Sequence, residues 1–201
     1  MTSQWAQLPL PNATWHHEPD GASFDAESGE LTIPAPGKTD WNVDAMTDDH
    51  VDSAPALLAA VDGDFSLSAQ VTVDFRDTYD AGVLCIRQSS MSWAKLCFEF
   101  TPQGAPMIVS VVTNGHSDDA NSAPIDDNVV RLRVVRLGAA YAFHYSRDGE
   151  YWHFVRQFRM RDDGDARIGF LAQSPVGDGS SAVFSDIRHS TIVPNDLRHG
   201  E

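Results

Sequence analysis

Residues 93–100 alternate strictly between apolar side chains and side chains that offer a charge, a thiol or an indole. The apolar positions are Ala94, Leu96, Phe98 and Phe100, and the positions between them are Trp93, Lys95, Cys97 and Glu99. A period of two residues is typical of a β-strand, whose successive side chains point to opposite faces of a sheet. The segment therefore predicts a strand with one face in a hydrophobic core. We expect the opposite face, which has Lys95 and Glu99, to hold any functional site.

Further short apolar or β-branched runs follow along the chain, without an amphipathic helix, an internal repeat or a domain linker. They cover residues 15–24, 31–33, 54–61, 64–73, 79–87, 107–113, 129–137, 141–145, 152–158, 167–173 and 182–187. The Asp148-Gly149 pair is a strong signal for a hairpin turn. Polar stretches at 44–53 and 114–128 predict exposed loops, and 161–165 predicts a charged turn. The pattern predicts an all-β fold of two packed antiparallel sheets, a sandwich or jelly roll.

A chain of 201 residues fits one all-β domain of this kind. We expect the domain to cover residues 1–193 and a flexible polar tail to cover 194–201. The formal net charge is -15, and the acidic residues are spread along the chain. Such a surface repels phosphate backbones and anionic membranes, so neither nucleic-acid binding nor membrane binding is expected.

Residues 1–12 lack the basic start and apolar core of a signal peptide, and no apolar run approaches the ~20 residues of a membrane span. We therefore expect a cytoplasmic protein whose two cysteines, Cys85 and Cys97, are thiols. If 88–92 is a turn, one register pairs Cys85 directly with Cys97. Two small buried side chains, a redox pair and metal ligation are all compatible with that pairing.

An ordered set of short motifs spans nearly the whole chain. It comprises Thr39-Asp40-Trp41, Gly63-Asp64-Phe65, Tyr79-Asp80-Ala81-Gly82-Val83-Leu84, Trp93-Ala94-Lys95, Glu99, Val112-Thr113-Asn114, Ser117-Asp118, Tyr145-Ser146-Arg147-Asp148-Gly149, and Ile168-Gly169 to Ser174-Pro175. In this order the chain resembles the regulation-of-enolase-like family, domain of unknown function 1349, of the concanavalin A-like lectin/glucanase superfamily. The resemblance implies a curved jelly roll with a concave sheet, on which lectins and glucanases of this superfamily hold sugars. It implies no reaction, because that family has none firmly assigned.

The chain departs from the family pattern at two aromatic positions. The aromatic residue that usually separates the Asp from the Trp of the first motif is absent, so Asp40 and Trp41 are adjacent. The Trp expected after Ser117-Asp118 is replaced by Asp119. Contacts that the family makes through those two aromatic residues are therefore not expected here.

The leading hypothesis is a module that binds a carbohydrate or a similar polyhydroxylated ligand on the concave face. Lys95 and Glu99 lie about 13 Å apart along a strand, so they can bracket one or two sugar rings. Trp41 and Trp93 offer aromatic faces for stacking on a sugar. The other candidate ligand-binding residues are polar or charged side chains on the strands or at their ends: Tyr79, Asp80, Arg87, Asn114, Ser117, Asp118 and Gln173.

Two other functions stay open. A glycoside hydrolase or lyase would use Glu99 with a distant acid such as Asp80 or Asp118, because glycoside hydrolysis needs two carboxyl groups roughly 5–9.5 Å apart. The closely spaced acids of residues 25–30 fall on a predicted turn, so the sequence contains no complete catalytic motif and leaves enzymatic activity open. The third function is an intracellular protein-interaction or metabolic regulatory domain, in keeping with the name of the family.

No cofactor is expected, because the sequence lacks Gly-rich phosphate loops, nucleophile elbows and zinc-protease motifs. The segment His16-His17-Glu18 does not predict a metal site, because adjacent residues of a strand point to opposite faces. A small molecule or a carbohydrate is the expected partner, and the oligomeric state is left open.

Overall fold

Two large antiparallel sheets and a short hairpin make up most of the computed structural model, which describes residues 4–161 and 165–200. The strands are β1 Thr14–His16, β2 Ser23–Asp25, β3 Glu30–Pro36, β4 Trp41–Val43, β5 His50–Asp52, β6 Ala56–Ala60, β7 Phe65–Val73, β8 Ala81–Ser89, β9 Ser92–Phe100, β10 Pro106–Asn114, β11 Ser117–Pro124, β12 Val129–Leu137, β13 Ala140–Ser146, β14 His153–Phe158, β15 Arg167–Gln173 and β16 Gly179–Ser190. A short 3-10 helix, Gln4–Gln7, precedes them. The described residues include no helix that is long and apolar enough to cross a membrane.

The strand order places β9 near the middle of one sheet. Sheet A has seven strands in the order β1-β6-β15-β8-β9-β10-β11, and sheet B has seven in the order β14-β13-β12-β7-β16-β3-β2. The strands β4 and β5 pair with each other as a separate hairpin, here called the cover hairpin. The predicted all-β jelly-roll sandwich of two antiparallel sheets is confirmed.

The core between the two sheets is built from alternate positions of their strands. In β7 every odd-numbered residue from Phe65 to Val73 is buried, and the residues between them are half-buried. In β9 the side chains of Ala94, Leu96 and Phe98 belong to this core, as their alternation predicts. Burial of a large apolar side chain favours folding by about 1.5–3 kcal/mol. The apolar faces of the strands therefore hold the sheets face to face.

A glycine in β8 allows the two sheets to approach closely. A Cβ atom built on Gly82 would lie 2.6 Å from Val71 Cγ1 and 3.0 Å from Ala182 Cβ. A larger side chain would not fit there unless β8 moved away from sheet B. The glycine of the motif around residue 82 is therefore a packing residue.

Two segments predicted as exposed loops contain strands. The 114–128 segment includes β11, Ser117–Pro124, and the 44–53 segment includes β5, His50–Asp52. Most side chains of β11 are exposed, so backbone hydrogen bonds to β10 hold this edge strand in place of an apolar face. Hydrophobic periodicity gives no signal for such a strand. The predicted charged turn at 161–165 lies largely outside the described residues.

The hairpin of β8 and β9 has a register different from the predicted one. Cys85 pairs with Lys95, and Cys97 pairs with Val83, so the two cysteines are diagonal neighbours on one face. The turn is tighter than predicted, because pairing continues past a β-bulge as far as Ser89. Both cysteines are buried free thiols.

The sequence predicts a flexible tail over 194–201, but its described residues, 194–200, are packed against the outer face of sheet B through Leu197. Leu197 is buried in a small cluster with Val135 and Ala142. The Nε2–H group of His144 donates a hydrogen bond of 2.7 Å to the carbonyl oxygen of Leu197. These contacts attach the segment to β12 and β13.

We expect Leu96→Ala to lower the free energy of unfolding by about 2–5 kcal/mol, because it leaves a cavity in the core between the sheets. Chemical denaturation measures the change. Ile192→Ala is the control, since this side chain is 86% exposed and its removal should cost less than about 0.5 kcal/mol. Equal losses in the two variants would contradict the assigned core.

Candidate functional site

The cover hairpin lies over the outer face of sheet A, on the side away from sheet B. Trp41 and Val43 of β4 are buried, whereas Asn42 between them is half-buried. Trp41 packs against Trp93 of β9, with ring centroids 6.0 Å apart. The buried residues beneath and around the hairpin form a second apolar cluster: Trp41, Ala54, Ala56, Leu58, Ala81, Val83, Cys85, Trp93, Cys97, Val109, Val111 and Leu171. The outer face of sheet A is therefore partly covered by the chain itself.

The two tryptophans predicted to stack on a sugar are packing residues. Trp41 is 0% exposed and Trp93 is 1% exposed. The Nε1–H group of Trp93 donates a hydrogen bond to the Ser90 carbonyl oxygen. Neither ring has a face open to a ligand, so the predicted stacking role is wrong. The rings instead fix the cover hairpin on the sheet.

Next to the cover hairpin, the outer face of sheet A opens into a cavity of about 500 Å³, here called the acidic pocket. Its lining residues are Asp40, Asn42, Asp44, Tyr79, Lys95, Glu99, Pro102, Gln103, Val109, Val111, Asp119, Asn121, Gln173, Pro175 and Val176. Lys95 is the one basic residue of this set, and four of its members have carboxyl groups. Of these residues, four were predicted from the sequence as candidate ligand-binding residues: Tyr79, Lys95, Glu99 and Gln173.

Lys95 is a buried cation with a complete set of hydrogen bonds. Its Nζ atom donates to Asp40 Oδ1 at 2.9 Å, to the Trp41 carbonyl oxygen at 2.7 Å and to Gln173 Oε1 at 2.9 Å. An ammonium group has three N–H donors, so none is left for a ligand. The expectation that Lys95 would hydrogen-bond a ligand directly is therefore wrong. It instead positions Asp40 and Gln173 at the pocket.

The electrostatic surroundings keep Lys95 charged. Burial alone would lower the pKa of this ammonium group, but the combined attraction of the nearby acidic groups, to which Asp40 contributes most, outweighs burial and raises the pKa above its usual value. The Lys95–Asp40 ion pair thus joins the sheet to the start of the cover hairpin at neutral pH.

Glu99 is a buried acid with unused hydrogen-bonding capacity. It is 8% exposed, and among the described residues none donates or accepts a hydrogen bond with its carboxyl group. Burial raises its pKa to about 8, since the attraction of Lys95 only partly offsets burial and the charges of Asp40 and Asp119 add to the rise. The group is therefore mostly protonated at pH 7 and can act as an O–H donor toward the pocket.

Asp119 faces the same pocket from the edge strand β11. It pairs with Val111 of β10, which pairs with Lys95 of β9, so the three residues lie in one row across the sheet. The side chain is solvent-accessible at the rim, but partial burial of its carboxyl group raises the pKa, with added repulsion from Asp40. The sequence analysis did not select Asp119. Its signal was the departure from the family pattern, in which a Trp usually follows Ser117-Asp118.

Tyr79 and Asp80 have different roles from each other. Tyr79 is half-exposed at the pocket, and its carbonyl oxygen accepts a hydrogen bond of 3.3 Å from Gln173 Nε2. Asp80 is fully buried, and its Oδ2 atom accepts hydrogen bonds from the backbone N–H groups of Arg76 and Asp77. Asp80 therefore stabilises the turn before β8 and is not a ligand-binding residue.

Four other predicted site residues lie outside the acidic pocket. Their side chains contact other parts of the protein: Asn114 Oδ1 accepts from the Arg161 N–H, Ser117 Oγ accepts from the Val43 N–H, Asp118 forms an ion pair with Arg156, and Arg87 forms one with Asp52. The Ser117 contact attaches the cover hairpin to β11. These four residues therefore have structural roles, and their predicted place in the ligand site is wrong.

The two cysteines on the outer face of sheet A are buried and unreactive. Burial raises the pKa of Cys85 to about 12 and that of Cys97 well above its usual value. Both thiols are therefore protonated at neutral pH, and a thiol in that state is a poor nucleophile and a poor metal ligand. Of the alternatives considered from the sequence, small buried side chains fit the structure.

The family of the chain follows from a comparison with known families. A family model described as "Protein of unknown function (DUF1349)" matches residues 15–192. The chain belongs to this family. The match confirms the resemblance noted from the ordered motifs. No curated protein matches the chain.

Solved structures of the same fold come from several kinds of protein. A protein from Saccharomyces cerevisiae described as functionally unknown has a TM-score of 0.84 and 23% identity, with 96% of this chain and 100% of that chain covered. A xylan beta-1,4-xylosidase from Bacillus halodurans C-125 has a TM-score of 0.65 and 16% identity, with 84% of this chain and 34% of that chain covered. The carbohydrate binding module CBM66 from Bacillus subtilis has a TM-score of 0.55 and 16% identity, with 89% and 97% covered. At these identities the likeness establishes the fold.

We expect Lys95→Met to lower the free energy of unfolding by about 3–5 kcal/mol, because it leaves Asp40 beside the sheet without its cation. The double variant Lys95→Met/Asp40→Asn should recover part of the loss, since the unpaired charge is gone. The control is Lys38→Met at the other lysine of the chain, which is exposed. A loss no larger than that of the control would show that Lys95 does not hold the hairpin.

We expect the free energy of unfolding to fall as the pH rises from about 5 to about 8, by up to about 1.4 kcal/mol per pH unit from Glu99 alone. The pKa of Glu99 is raised in the folded protein to about 8, so the folded state binds more protons than the unfolded state across this range. In Glu99→Gln this contribution should vanish, and the variant should gain stability relative to the parent at pH 9. Urea denaturation at a series of pH values measures it, with Glu27→Gln in the exposed turn after β2 as control. Parallel pH profiles for parent and Glu99→Gln would contradict the assignment.

Proposed function

We propose that the acidic pocket binds a neutral polyhydroxylated ligand, with carbohydrates as the first class. One observation supports this proposal above the others. In a cavity of about 500 Å³, the buried Glu99 carboxyl group has no hydrogen-bond partner among the described residues, and it faces acceptors that Lys95 holds in place. The Glu99 oxygens are not among the fully buried, unpaired polar atoms of the described residues, so they border the cavity, where a ligand or water can hydrogen-bond to them.

The functional groups of the pocket complement hydroxyl groups, each of which donates and accepts hydrogen bonds. Protonated Glu99 supplies a donor, whereas Asp40 and Asp119 supply carboxylate acceptors at the same cavity. Asn42 and Asn121 add side chains that both donate and accept. The cavity volume lies within the roughly 300–1,000 Å³ of small-molecule sites. A ligand with several hydroxyl groups can satisfy all of these groups at once.

The charge of the pocket selects against acidic ligands. The lining residues include four carboxyl groups, and the ammonium group of Lys95 is already paired with Asp40. A phosphate or carboxylate on the ligand would therefore face negative charge with no free cation to bind it. We expect neutral sugars and polyols to bind in preference to sugar phosphates and uronic acids.

Similarity of fold supports carbohydrates as the first class of ligand to test. Similar structures include a protein named as a carbohydrate binding module and one named as a xylosidase. Because fold similarity does not transfer a site, the proposal depends on the residues of the pocket itself. Among the described residues that line the pocket, Tyr79 is aromatic and none is a tryptophan, so hydrogen bonds have to supply much of the binding free energy.

A second candidate function is acid catalysis of glycoside cleavage by Glu99. A protonated carboxyl group near neutral pH beside a second carboxylate is the arrangement that glycosidases use. The second acid is not Asp80 or Asp118, as the sequence suggested, because Asp80 is buried in a turn and Asp118 lies outside the pocket. Asp40, Asp44 and Asp119 are the other carboxyl groups that line the pocket.

A panel of neutral monosaccharides, disaccharides and polyols, screened by thermal shift and then by calorimetry, tests the binding proposal. For the tightest ligand we expect Asp119→Asn to weaken binding by about tenfold or more, because a hydrogen bond to a charged acceptor is lost. Asp118→Asn is a matched control one residue away, on the face of β11 that lacks the pocket. The proposal fails if no compound of the panel binds, or if the two variants weaken binding equally.

Chromogenic glycosides test the second candidate with the same proteins. Turnover by the parent should be lost in Glu99→Gln, because the amide cannot donate a proton to the leaving group. Sugar binding without turnover would retain the binding proposal and reject catalysis.

A further inference from the structure

A cluster of metal-ligating side chains lies outside the acidic pocket, at the other strand of the cover hairpin. His16 and His17 stand at the end of β1, and Asp52 ends β5. One side-chain nitrogen or oxygen of each residue lies within 4.8 Å of the other two. These three residues are here called the histidine cluster.

The backbone at His17 brings the two imidazoles together, contrary to the expectation from the sequence. Its φ angle is 58°, in the left-handed region that few residues other than glycine and asparagine adopt. The strand alternation therefore stops at His16, and the two ring centroids are 4.2 Å apart. His16 and His17 therefore do not point to opposite faces, as adjacent residues of a regular strand would.

The register of the cover hairpin brings Asp52 to the two imidazoles. Asp52 pairs with Trp41, whose ring also contacts His16, with centroids 5.7 Å apart. Asp52 Oδ1 lies 2.9 Å from His16 Nε2, and the Asp52 carbonyl oxygen lies 2.9 Å from His17 Nε2. Both Nε2 atoms thus lie next to the same aspartate.

The spacing of these atoms suits direct coordination of one ion. Two ligand atoms that each lie about 2.1 Å from a metal are about 3.0 Å apart at a right angle and about 3.4 Å apart at the tetrahedral angle. The distance of 2.9 Å between Asp52 Oδ1 and His16 Nε2 is that of a hydrogen bond in the metal-free protein, so a tetrahedral ion replaces this hydrogen bond and widens the separation by about 0.5 Å. One imidazole nitrogen of the exposed His17 lies within 4.8 Å of the ligand atoms of the other two residues, so a small change in its side-chain torsion angles is enough for it to join them as a ligand.

Arg87 fixes the orientation of the aspartate from behind. Its Nη2 atom donates a hydrogen bond of 2.6 Å to Asp52 Oδ2, which leaves Oδ1 on the side of the imidazoles. The guanidinium group also lies over the Trp41 ring, 4.6 Å from its centroid. Hydrogen bonds of this kind to a ligating carboxylate orient it and are typical of built metal sites.

We propose that His16, His17 and Asp52 bind one divalent transition-metal ion of borderline softness, with Zn²⁺ as the main candidate. Two imidazoles and one carboxylate suit Zn²⁺, Ni²⁺ and Cu²⁺, whereas Mg²⁺ and Ca²⁺ prefer oxygen ligands alone. The bound ion joins the edge strand β1 of sheet A to the cover hairpin. Its remaining coordination positions are open to solvent beside His17, so water or an external ligand completes the set.

Titration of the metal-free protein with Zn²⁺ by calorimetry, and with Co²⁺ by visible absorption, tests the site. We expect one ion per chain, a Co²⁺ spectrum that indicates nitrogen ligation, and a rise in Tm with Zn²⁺ but not with Mg²⁺. His17→Asn removes one imidazole and keeps a residue that tolerates a left-handed φ. It should weaken Zn²⁺ binding by about 100-fold or more, since even loss of an outer-shell partner costs 10–100-fold.

His50→Ala is the matched control, because His50 is an exposed histidine on the same hairpin outside the cluster. It should bind Zn²⁺ like the parent. Asp52→Asn is a second test. It removes the carboxylate ligand and should weaken the absorption of bound Co²⁺, whereas Arg87 can still donate a hydrogen bond to the amide oxygen. The proposal is overturned if no stoichiometric binding occurs, or if His17→Asn and His50→Ala weaken binding to the same extent, as surface histidines would.

Discussion

The hydrogen bonds of one buried ammonium group connect sheet A, the cover hairpin and the end of β15, which together form the acidic pocket. Lys95 on β9 contacts Asp40 and the Trp41 carbonyl oxygen at the start of the cover hairpin, and Gln173 at the end of β15. These contacts join the sheet to a hairpin that shares no strand pairing with it. A charge buried to this degree is tolerated only with such partners, so the hairpin position and the charge depend on each other.

The alternation along residues 93–100 predicted the strand, its buried face and the location of Lys95 and Glu99 on the other face. It could not predict whether that face is open, because periodicity reports the direction of side chains and not what covers them. Trp41 and Trp93 show the difference. Trp93 lies on the predicted face, but Trp41 of the cover hairpin packs against it, and neither ring is exposed to solvent. The family resemblance did not reveal this cover either.

The residues that the sequence analysis missed depend on register and local backbone. Asp119 reaches the pocket because β11 pairs with β10 so that Asp119 lies in the row of Lys95. The strand itself is almost entirely polar, so no hydrophobic pattern marks it. His17 joins His16 through a single left-handed φ angle, which a strand pattern does not predict.

The pairing of Trp41 with Asp52 has a consequence for how this surface can vary among related proteins. Asp40, the residue before Trp41, forms an ion pair with Lys95, and Asp52 of the histidine cluster forms an ion pair with Arg87. A slip of one residue in this short ladder would turn each side chain to the opposite side and dismantle both arrangements together. The tip of the hairpin between Val43 and His50 is mostly exposed, although Asp44 lines the acidic pocket and Asp48 contacts His116. The same two-strand register therefore positions both Asp40 of the acidic pocket and Asp52 of the histidine cluster.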